Sequence, residues 1–351
     1  MRSLLVSVKS DKTRGGIAVW TEKYLSECRE RNLDCALVNT EILGKRGLYN
    51  ELLRTRRIFR DLKVALRSRY DVAHLNTSCG TFGLFRDLLI ARRIKKRGIP
   101  LVTQYHCDIP HWIRSKLSRW CLGRLVKCSD ENIVLCANSR QFLKEQYGAD
   151  SLQIPNFVEE RLVRTDNKQI RPAMEHALFV GRVEQAKGAK EIFEAAKQLP
   201  HIRFELVGSV CDTVSHWEKP DNVQLTGSVP NAQVIGLLDE ADVFLLPSYT
   251  EGCSVALLEA MARGVPCVAT DVGANAQCLS GDCGVLIKPK STEALVKALQ
   301  VLENAVLREK LSTNATEKIR LQFTSKNIYE LLSTEMKVAE RTSYCKKDVR
   351  R

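Results

Sequence analysis

The chain has 351 residues, of which 44% are hydrophobic and 27% charged, a balance typical of globular proteins. One hydrophobic core rarely organises so long a chain, so two domains of about 150 residues each are expected. The formal net charge is +13, and residues 1–165 carry 31 basic and 17 acidic side chains against 23 and 24 in residues 166–351. This asymmetry predicts two units with different partners, one of which is anionic.

The composition also excludes several classes of protein. The longest uncharged stretch, residues 222–238, is interrupted by polar residues and is not a bilayer span. The first apolar run, Leu4–Val8, is too short for the core of a signal peptide. The 13 cysteines include no C-x-x-C pair and no zinc-like Cys/His spacing, which indicates reduced thiols in a cytoplasmic protein.

Short runs rich in Val, Leu and Ile predict buried strands, and helix-length segments separate them. In the first half, strands are expected at Leu4–Val8, Cys35–Asn39, Val72–Asn76, Pro100–Tyr105 and Ile133–Ala137, with helices at Ile17–Arg31 and Phe82–Arg97. In the second half, strands are expected at Ala177–Gly181, Arg203–Gly208, Val223–Leu225, Val243–Pro247, Val265–Thr270 and Val285–Ile287, with helices at Lys190–Leu199, Ala232–Glu240, Ser254–Arg263 and Thr292–Glu303. This alternation predicts an α/β fold with two doubly wound, Rossmann-like domains facing a cleft.

The polar segment Arg164–Pro172 is expected to link the two domains. An N-terminal Rossmann-like domain is predicted over residues 1–165 and a C-terminal Rossmann-like domain over residues 166–325. Residues 326–351 are predicted to form a C-terminal helix that packs back toward the N-terminal domain, followed by a basic tail.

Ligands of doubly wound sheets bind beyond the carboxyl ends of the strands, so candidate site residues are sought at strand-to-helix junctions. Gly15 and Gly16 follow the first strand, where backbone and helix N-terminus could approach an anion; a plain turn is the alternative. His106 follows the fourth strand and could donate a hydrogen bond or shuttle a proton, although a structural histidine is the alternative. The chain contains no G-x-G and no P-loop motif, which argues against dehydrogenases and P-loop enzymes.

Two junctions of the second half carry more specific patterns. Arg182 and Lys187, five positions apart on a Gly-flanked loop, could converge on a diphosphate, or could form a solvated basic loop. Ser254 is a credible N-cap of the helix after Glu251, Gly252 and Cys253. Glu259 lies among apolar neighbours in that helix, so it is either a buried carboxylate with a partner or part of an exposed helix face.

These residues carry a resemblance to the retaining glycosyltransferases of family 4, which have the GT-B fold. The most specific part is the pair of glutamates eight positions apart in E-G-C-S-V-A-L-L-E-A-M-A, Glu251 and Glu259. Supporting matches are the G-R-V-E-Q-A-K-G run at 181–188, the segment Val265–Gly273, Ala137–Arg140 and Ile154–Asn156. The resemblance covers about residues 1–330.

The resemblance implies that the domain over residues 1–165 binds the acceptor and that the domain over residues 166–325 binds the nucleotide sugar. It also implies a role for each matching position. Arg182 and Lys187 would bind the donor diphosphate, and Glu251 with the backbone of Gly252 and Cys253 would hold the sugar hydroxyls. The amides of Ser254 and Val255 would face the phosphates, and Glu259 would bind the ribose. His106 matches the family's cleft histidine near the donor sugar, and Gly16 its N-terminal glycine loop.

The resemblance also implies a metal-independent reaction without a cofactor, in which a UDP- or GDP-linked sugar is the donor substrate. The absence of a D-x-D motif agrees with that expectation, and the chain shows no obvious covalent nucleophile. Two positions depart from the family pattern: Phe157 follows Pro155-Asn156 in place of glycine, and Cys107 replaces the acidic residue after His106. Both departures bear on the acceptor side.

Three helical stretches concentrate the positive charge of the first half: Arg54–Arg69, Arg86–Arg97 and Trp112–Lys127. In the last, apolar residues at near-helical spacing alternate with Arg114, Arg119 and Lys127, a pattern that favours contact with an anionic membrane surface. The alternative is that the apolar residues are domain core and the charges are merely solvated. Nucleic acid is not expected, because no nucleic-acid motif accompanies the charge.

The leading hypothesis is a hexosyltransferase that extends a glycan or lipid-linked glycan acceptor in bacterial surface polysaccharide synthesis. It would be cytoplasmic and peripheral on the inner membrane. One alternative is a nucleotide-sugar epimerase or hydrolase on the same fold. The other is an inactive basic protein that binds membranes or polyanions.

Overall fold

The computed structural model describes residues 2–9, 15–41 and 48–348. The chain divides into two compact units, the first formed by residues 1–156 with 325–351 and the second by residues 157–324. The polypeptide therefore passes between the units twice, and its last segment returns to the unit in which it began.

The first unit contains a parallel sheet of six strands in the order β2-β1-β3-β4-β5-β6. The strands are β1 Arg2–Ser7, β2 Asp34–Asn39, β3 Val72–Thr77, β4 Leu101–Tyr105, β5 Glu131–Val134 and β6 Leu152–Gln153. The helices between them are α1 Gly16–Glu30, α2 Leu48–Ala65, α3 Thr81–Lys96, α4 Ile109–Trp112, α5 Lys116–Cys128 and α6 Ala137–Tyr147. Because parallel crossovers are right-handed, the reversal of direction after β2 puts α2, α3, α5 and α6 on one face and α1 on the other.

The second unit contains another parallel sheet of six strands, in the order β12-β11-β10-β7-β8-β9. The strands are β7 His176–Val180, β8 Arg203–Val207, β9 Val223–Gly227, β10 Val243–Leu246, β11 Cys267–Thr270 and β12 Val285–Ile287. The helices are α7 Ala189–Gln198, α8 Asp212–Ser215, α9 Asn231–Glu240, α10 Val255–Ala262, α11 Asn275–Leu279, α12 Thr292–Val301 and α13 Ala305–Gln322. Single 3₁₀ turns occupy Glu160–Leu162 and Gln185–Lys187.

The central strands are buried on both faces, as the sequence pattern predicts. All residues of β3, β4, β10 and β11 are buried, and each sheet packs against helices around its own apolar core. This architecture confirms the prediction of two doubly wound, Rossmann-like units. The strand order reverses between β1 and β3 in the first unit and between β10 and β7 in the second, and such switch points are where these sheets bind ligands.

The last helix, α14 Ser325–Asp348, packs on the first unit against α1. The ring of Tyr329 lies 5.8 Å from that of Tyr24, and the Arg31 guanidinium lies 4.6 Å from the Tyr329 ring centroid. The Tyr24 hydroxyl approaches Sδ of Met336 at 3.7 Å. Aromatic and apolar contacts therefore hold this helix, which is distant in sequence, to the N-terminal part of the chain.

The polar segment 164–172, which the sequence predicts to link the domains, belongs to the second unit and is hydrogen-bonded to it. Lys168 is buried and donates to the carbonyl of Leu238 at 3.3 Å, and Arg171 Nε donates to Asp242 Oδ1 at 2.8 Å. The chain enters the second unit at residue 157, several residues before that segment.

The prediction of one continuous helix over 112–127 is wrong. The short helix α4 ends at Trp112, and α5 begins at Lys116 after a capping box in which Ser115 and Ser118 satisfy each other's backbone N–H groups. The expected strand at 133–137 likewise ends at Val134, because Ala137 is already the first residue of α6.

Candidate active site

Two loops meet at the switch point of the second unit. One follows β7 and contains Arg182 and Lys187; the other follows β10 and contains Glu251. Their backbones are in contact: the Tyr249 N–H donates to the Ala186 carbonyl at 2.9 Å. Gly188 has φ of +80°, and a Cβ there would lie 2.3 Å from the Pro247 carbonyl oxygen, so only glycine allows this approach.

The loops bring Lys187 and Glu251 together. Lys187 Nζ lies 2.6 Å from Glu251 Oε1, and the Ser248 hydroxyl donates to the same oxygen at 2.7 Å. The two charged side chains are 24% and 11% exposed, so the pair is shielded but reachable. A cation and a carboxylate are thus held side by side, suited to a ligand that carries both phosphate and hydroxyl groups.

A third loop, which follows β11, packs against the backbone of residues 251 and 252. Gly273 has φ of +58°, and a Cβ there would lie 2.1 Å from the Glu251 carbonyl oxygen. The Ala274 N–H donates to the Gly252 carbonyl at 2.9 Å. The backbone of residues 251 and 252 is therefore fixed from both sides, which orients the Glu251 side chain.

Helix α10 starts directly after this loop. The Ser254 hydroxyl accepts a hydrogen bond from the Leu257 N–H at 3.3 Å, so Ser254 is the N-cap that the sequence predicts. Val255 is the first helical residue, and the first amides of a helix have no acceptor within it, which favours an anion nearby. Cys253 is buried immediately before the cap.

Glu259 lies in the second turn of α10 and is 5% exposed. The alternative of an exposed helix face therefore does not hold for this carboxylate. Its neighbours Leu258 and Ala260 are fully buried, so the carboxylate lies in an apolar setting, where carboxylates carry a polar partner.

Arg182 is arranged differently from Lys187. Its guanidinium lies 2.9 Å from Glu184 Oε1 and the side chain is 66% exposed. The structure therefore does not bring Arg182 into the Lys187–Glu251 pair, although both cations belong to the same loop. An exposed arginine on a long side chain can reorient toward a bound anion at little cost.

His106 and Gly16 belong to the first unit. The backbone N–H of His106 donates to the Thr77 carbonyl at 2.9 Å, and the imidazole lies edge-on to Trp20, with ring centroids 5.2 Å apart. Burial, with a smaller contribution from the neighbouring His74, lowers the pKa of His106 to about 3. The imidazole is neutral at pH 7, which favours hydrogen bonding to a substrate over proton storage.

Gly16 is the first residue of α1, and Gly15 is its N-cap. Both are exposed, and a Cβ built on Gly16 would meet no atom within 4 Å. No described neighbour therefore requires glycine at this position. Residues 10–14 of the same predicted loop lie outside the described residues.

Sequence reasoning did not single out Gly208 or assign a role to Gly273. Gly208 follows β8 with φ of +143°, and a Cβ there would lie 1.9 Å from the Gly181 carbonyl oxygen. Both glycines follow a buried strand at its carboxyl end, and this position is the signal that could have found them. Ser248, which binds Glu251, was visible in the sequence only as a loop residue.

Two family descriptions match the chain in tandem. Residues 19–161 match Glycosyltransferase Family 4, and residues 165–318 match Glycosyl transferases group 1. The matched ranges follow the two structural units closely. The chain belongs to glycosyltransferase family 4. The predicted resemblance to this family is confirmed.

Individual relatives of this family 4 enzyme agree. A glycosyltransferase of Bacillus subtilis named for teichuronic acid biosynthesis, TuaC, is 34% identical over 171 residues, which are 48% of this chain and 43% of the relative. The match thus spans less than half of that relative's length. The names of further relatives refer to colanic acid and capsular polysaccharide biosynthesis.

Solved structures identify the fold as GT-B. Sucrose-phosphate synthase from Thermosynechococcus elongatus superposes with a TM-score of 0.82 at 16% identity, over 96% of this chain and 98% of that one. HepE from Anabaena, solved with UDP-glucose, superposes with a TM-score of 0.72 at 17% identity, over 95% and 100%. At these identities the matches show the fold alone.

The basic helices of this GT-B protein carry both buried and exposed apolar side chains. Of the apolar residues that the sequence places on one face of 112–127, Ile113, Cys121 and Leu125 are buried, whereas Leu117 and Trp120 are 55% and 51% exposed. Trp112 is also exposed, as are Phe82 and Phe85 in the first turns of α3. Within residues 2–9, 15–41 and 48–348, no helix is both long enough and apolar enough to cross a bilayer.

Proposed function

We propose that this enzyme transfers a hexose, with retention and without a metal, from a nucleotide-sugar donor to a lipid-linked glycan in bacterial surface polysaccharide synthesis. The observation that carries the proposal is the Lys187–Glu251 pair at the switch point of the second sheet, 2.6 Å apart. The names of the relatives support the polysaccharide context. UDP is the favoured nucleotide because the structural neighbour HepE was solved with UDP-glucose.

In the proposed complex, the donor diphosphate replaces the Glu251 carboxylate as the partner of Lys187. Arg182 turns from Glu184 toward the same anion, and the first amides of α10 donate to it from the other side. Glu251 is then released to accept hydrogen bonds from the sugar hydroxyls. The buried Glu259 accepts hydrogen bonds from the ribose hydroxyls.

The proposed reaction breaks the bond between the anomeric carbon and the diphosphate oxygen. Lys187, Arg182 and the helix dipole stabilise the negative charge that develops on the leaving diphosphate, and the same charges make a metal unnecessary. His106, whose pKa lies far below 7, donates a hydrogen bond as a neutral imidazole to the donor sugar. The acceptor hydroxyl oxygen forms the new bond to the anomeric carbon on the face that the phosphate leaves, and its proton passes to the leaving phosphate, so the configuration is retained.

The acceptor side is proposed to work at an anionic membrane surface on the cytoplasmic side. The three basic helices α2, α3 and α5 lie on the same face of the first sheet by the crossover rule. The exposed rings of Phe82, Trp112 and Trp120 sit in the first turns of α3, in α4 and in α5. Aromatic rings beside basic side chains are the combination that binds the interface of anionic bilayers.

Donor binding tests the proposal first. We expect UDP-glucose to raise the unfolding temperature more than GDP-mannose or ADP-glucose, because a ligand that binds only the folded state stabilises it. Lys187→Ala and Glu259→Ala should abolish this shift and transfer, whereas Lys190→Ala, an exposed lysine three positions away, should change neither. Wild-type transfer rates in both Lys187→Ala and Glu259→Ala would contradict the assignment of these residues to the donor site.

Product analysis separates the alternatives. A transferase releases UDP quickly only when an acceptor is present. Rapid release of free or epimerised sugar from the donor alone would identify a hydrolase or epimerase. No stabilisation by any nucleotide sugar would indicate an inactive binding protein that has kept the fold.

A further inference from the structure

A concavity of ≈ 540 Å³ lies between α2 and α3 on the basic face of the first unit. Its lining is Phe59, Arg60 and Lys63 from α2, Leu66 directly after α2, and Arg93, Lys96 and Arg97 around the end of α3. Five of these seven side chains are cationic. The two apolar members, Phe59 and Leu66, are half-buried and buried, so the walls are charged and the floor is apolar.

The sequence builds this groove from two facing stripes. Arg60 and Lys63, three positions apart, lie on one side of α2, and Arg93 with Lys96 and Arg97 lie on one side of α3, following the helical repeat. The Arg93 guanidinium stacks over the Phe59 ring, 3.9 Å from its centroid, and joins the two helices across the groove.

The positive charge in the groove is largely unneutralised. Arg60 pairs with Asp61, its neighbour in sequence, at 3.1 Å. Lys63, Arg93 and Lys96 form no ion pair with any residue among those the structure describes, and neither does Arg97. Some other cations of the same helices do have carboxylate partners: Lys95 binds Asp130 at 2.5 Å, and Arg54 binds Glu51 at 2.9 Å.

Like charges that converge without counter-charges repel one another, and a bound anion removes that repulsion. A concavity of this size matches the volume of small-molecule sites. A compact oxyanion such as a phosphate monoester would satisfy several of the lysine and arginine donors at once. The apolar floor contributes binding free energy only to a ligand that has a hydrocarbon part to place against it. Inorganic phosphate has no such part.

We propose that the α2–α3 groove binds the phosphate group of an anionic lipid, with its proximal hydrocarbon against Phe59 and Leu66. This groove is separate from the residues assigned to the donor, all of which except Gly16 and His106 lie in the second unit. The inference deepens the proposed membrane attachment, on which it rests for the source of the ligand. It does not depend on which sugar is transferred.

Binding of soluble probes to the full-length protein tests the groove by calorimetry. The probes are dihexanoyl phosphatidic acid below its micelle concentration, dihexanoyl phosphatidylcholine with the same tails, and inorganic phosphate. We expect phosphatidic acid to bind about tenfold or more tighter than either of the others. Inorganic phosphate binding as tightly would overturn the role of the apolar floor, and equal binding of both lipids would overturn the role of the cations.

Charge-matched variants locate the site. Lys63→Gln with Lys96→Gln removes one cation from each wall and should weaken phosphatidic acid binding about tenfold. Arg124→Gln with Arg140→Gln removes the same charge from exposed positions on α5 and α6 and should change binding less than twofold. Equal losses in both double variants would show a general charge effect and overturn the proposal.

Two further measurements keep the outcome interpretable. Lys63→Arg with Lys96→Arg retains the charge and should restore binding, and failure to do so would contradict recognition by charge in the groove. Stabilisation by UDP-glucose is measured on every variant. A protein that binds UDP-glucose normally but not phosphatidic acid disproves the groove alone, whereas the reverse result disproves the donor site alone.

Discussion

The Glu251 carboxylate is held by two side chains that contact the same oxygen atom. Both Lys187 Nζ and Ser248 Oγ contact Oε1 of this carboxylate, at 2.6 and 2.7 Å, and neither contact uses Oε2. The backbone on either side is fixed by the close approaches of Gly188 and Gly273. The carboxylate is thus oriented before any sugar arrives, which is how preorganised groups stabilise a transition state.

The first prediction separates the sugar from the nucleotide. Glu251→Gln should lower transfer about 100-fold or more, the scale of losing one preorganised transition-state contact. It should leave the affinity for UDP unchanged or higher, because Lys187 no longer has a competing carboxylate. Glu309→Gln, at an exposed carboxylate of α13 in the same unit, is the matched control and should change neither transfer nor UDP affinity. A large loss of UDP affinity in Glu251→Gln, measured by calorimetry, would place this carboxylate at the nucleotide instead.

The second prediction concerns Gly273. Gly273→Ala and Gly281→Ala both put a side chain at positive φ, +58° and +75°, a strain of about 1 kcal/mol for a non-glycine residue. Only at Gly273 would the new Cβ also press on the Glu251 carbonyl. We expect Gly281→Ala to lose only the stability that the strained φ costs, and Gly273→Ala to lose more because its Cβ displaces the Glu251 backbone; only Gly273→Ala should lose UDP-glucose binding at a temperature where both variants are folded. Normal donor binding by Gly273→Ala would show that the third loop does not position Glu251.

At the scale of elements, the sequence predicted the buried strands closely. Strands such as β4 and β10 are buried throughout because helices cover both faces, and the apolar residues that mark them form a local pattern. The Ser254 cap was equally visible, since capping depends on a few adjacent residues. The break before α5 was missed because the spacing of Ile113, Leu117 and Cys121 fits a continuous helix, whereas Ser115 and Ser118 end that continuity.

The sequence could not predict which backbone segments Gly188, Gly208 and Gly273 approach closely. Each of these approaches is a contact between loops that follow different strands, so it depends on the order of strands in the sheet. The burial of Glu259 and the separate pairing of Arg182 with Glu184 are of the same kind. Residue type and spacing indicated a phosphate-and-sugar site, and the tertiary contacts decide which side chains meet in it.

The third prediction tests the basic helices. Replacing Arg114, Arg119 and Lys127 by glutamine should weaken binding to vesicles containing phosphatidylserine by roughly 3 kcal/mol, at about 1 kcal/mol for each cation near the surface. Glutamine at Lys190, Lys288 and Lys297, exposed lysines of the second unit, removes the same charge and should have little effect. Co-sedimentation measures both. If the variant with glutamine at Arg114, Arg119 and Lys127 sediments with vesicles as the wild type does, the proposal that these residues contact the membrane is wrong.

At the scale of the whole molecule, the last segment of the chain belongs to the same unit as the first. Helix α14 follows the entire second unit yet belongs to the first. The two segments that pass between the units also run side by side, because the Val158 N–H donates to the Phe323 carbonyl at 2.9 Å and Val158 pairs with Thr324. The first unit is therefore completed only by residues that come last in the chain.

The fourth prediction is that the two units unfold separately and respond to different changes. Multidomain proteins depart from two-state unfolding, so calorimetry should resolve two transitions. UDP-glucose should raise mainly the transition of the second unit, which holds Lys187 and Glu251. Leu332→Ala removes a buried side chain of α14 and should destabilise the first unit by about 2–5 kcal/mol, lowering the other transition.

Leu331→Ala is the control for that variant, because the adjacent side chain is 49% exposed and its removal should shift neither transition appreciably. The decisive comparison is whether Leu332→Ala lowers the same transition that UDP-glucose raises. If it does, the last helix stabilises the nucleotide-binding unit and the division of the chain is different. If it lowers only the other transition, a helix encoded after the donor site completes the unit that carries the basic surface, so truncation of the C-terminus would damage acceptor handling before donor binding.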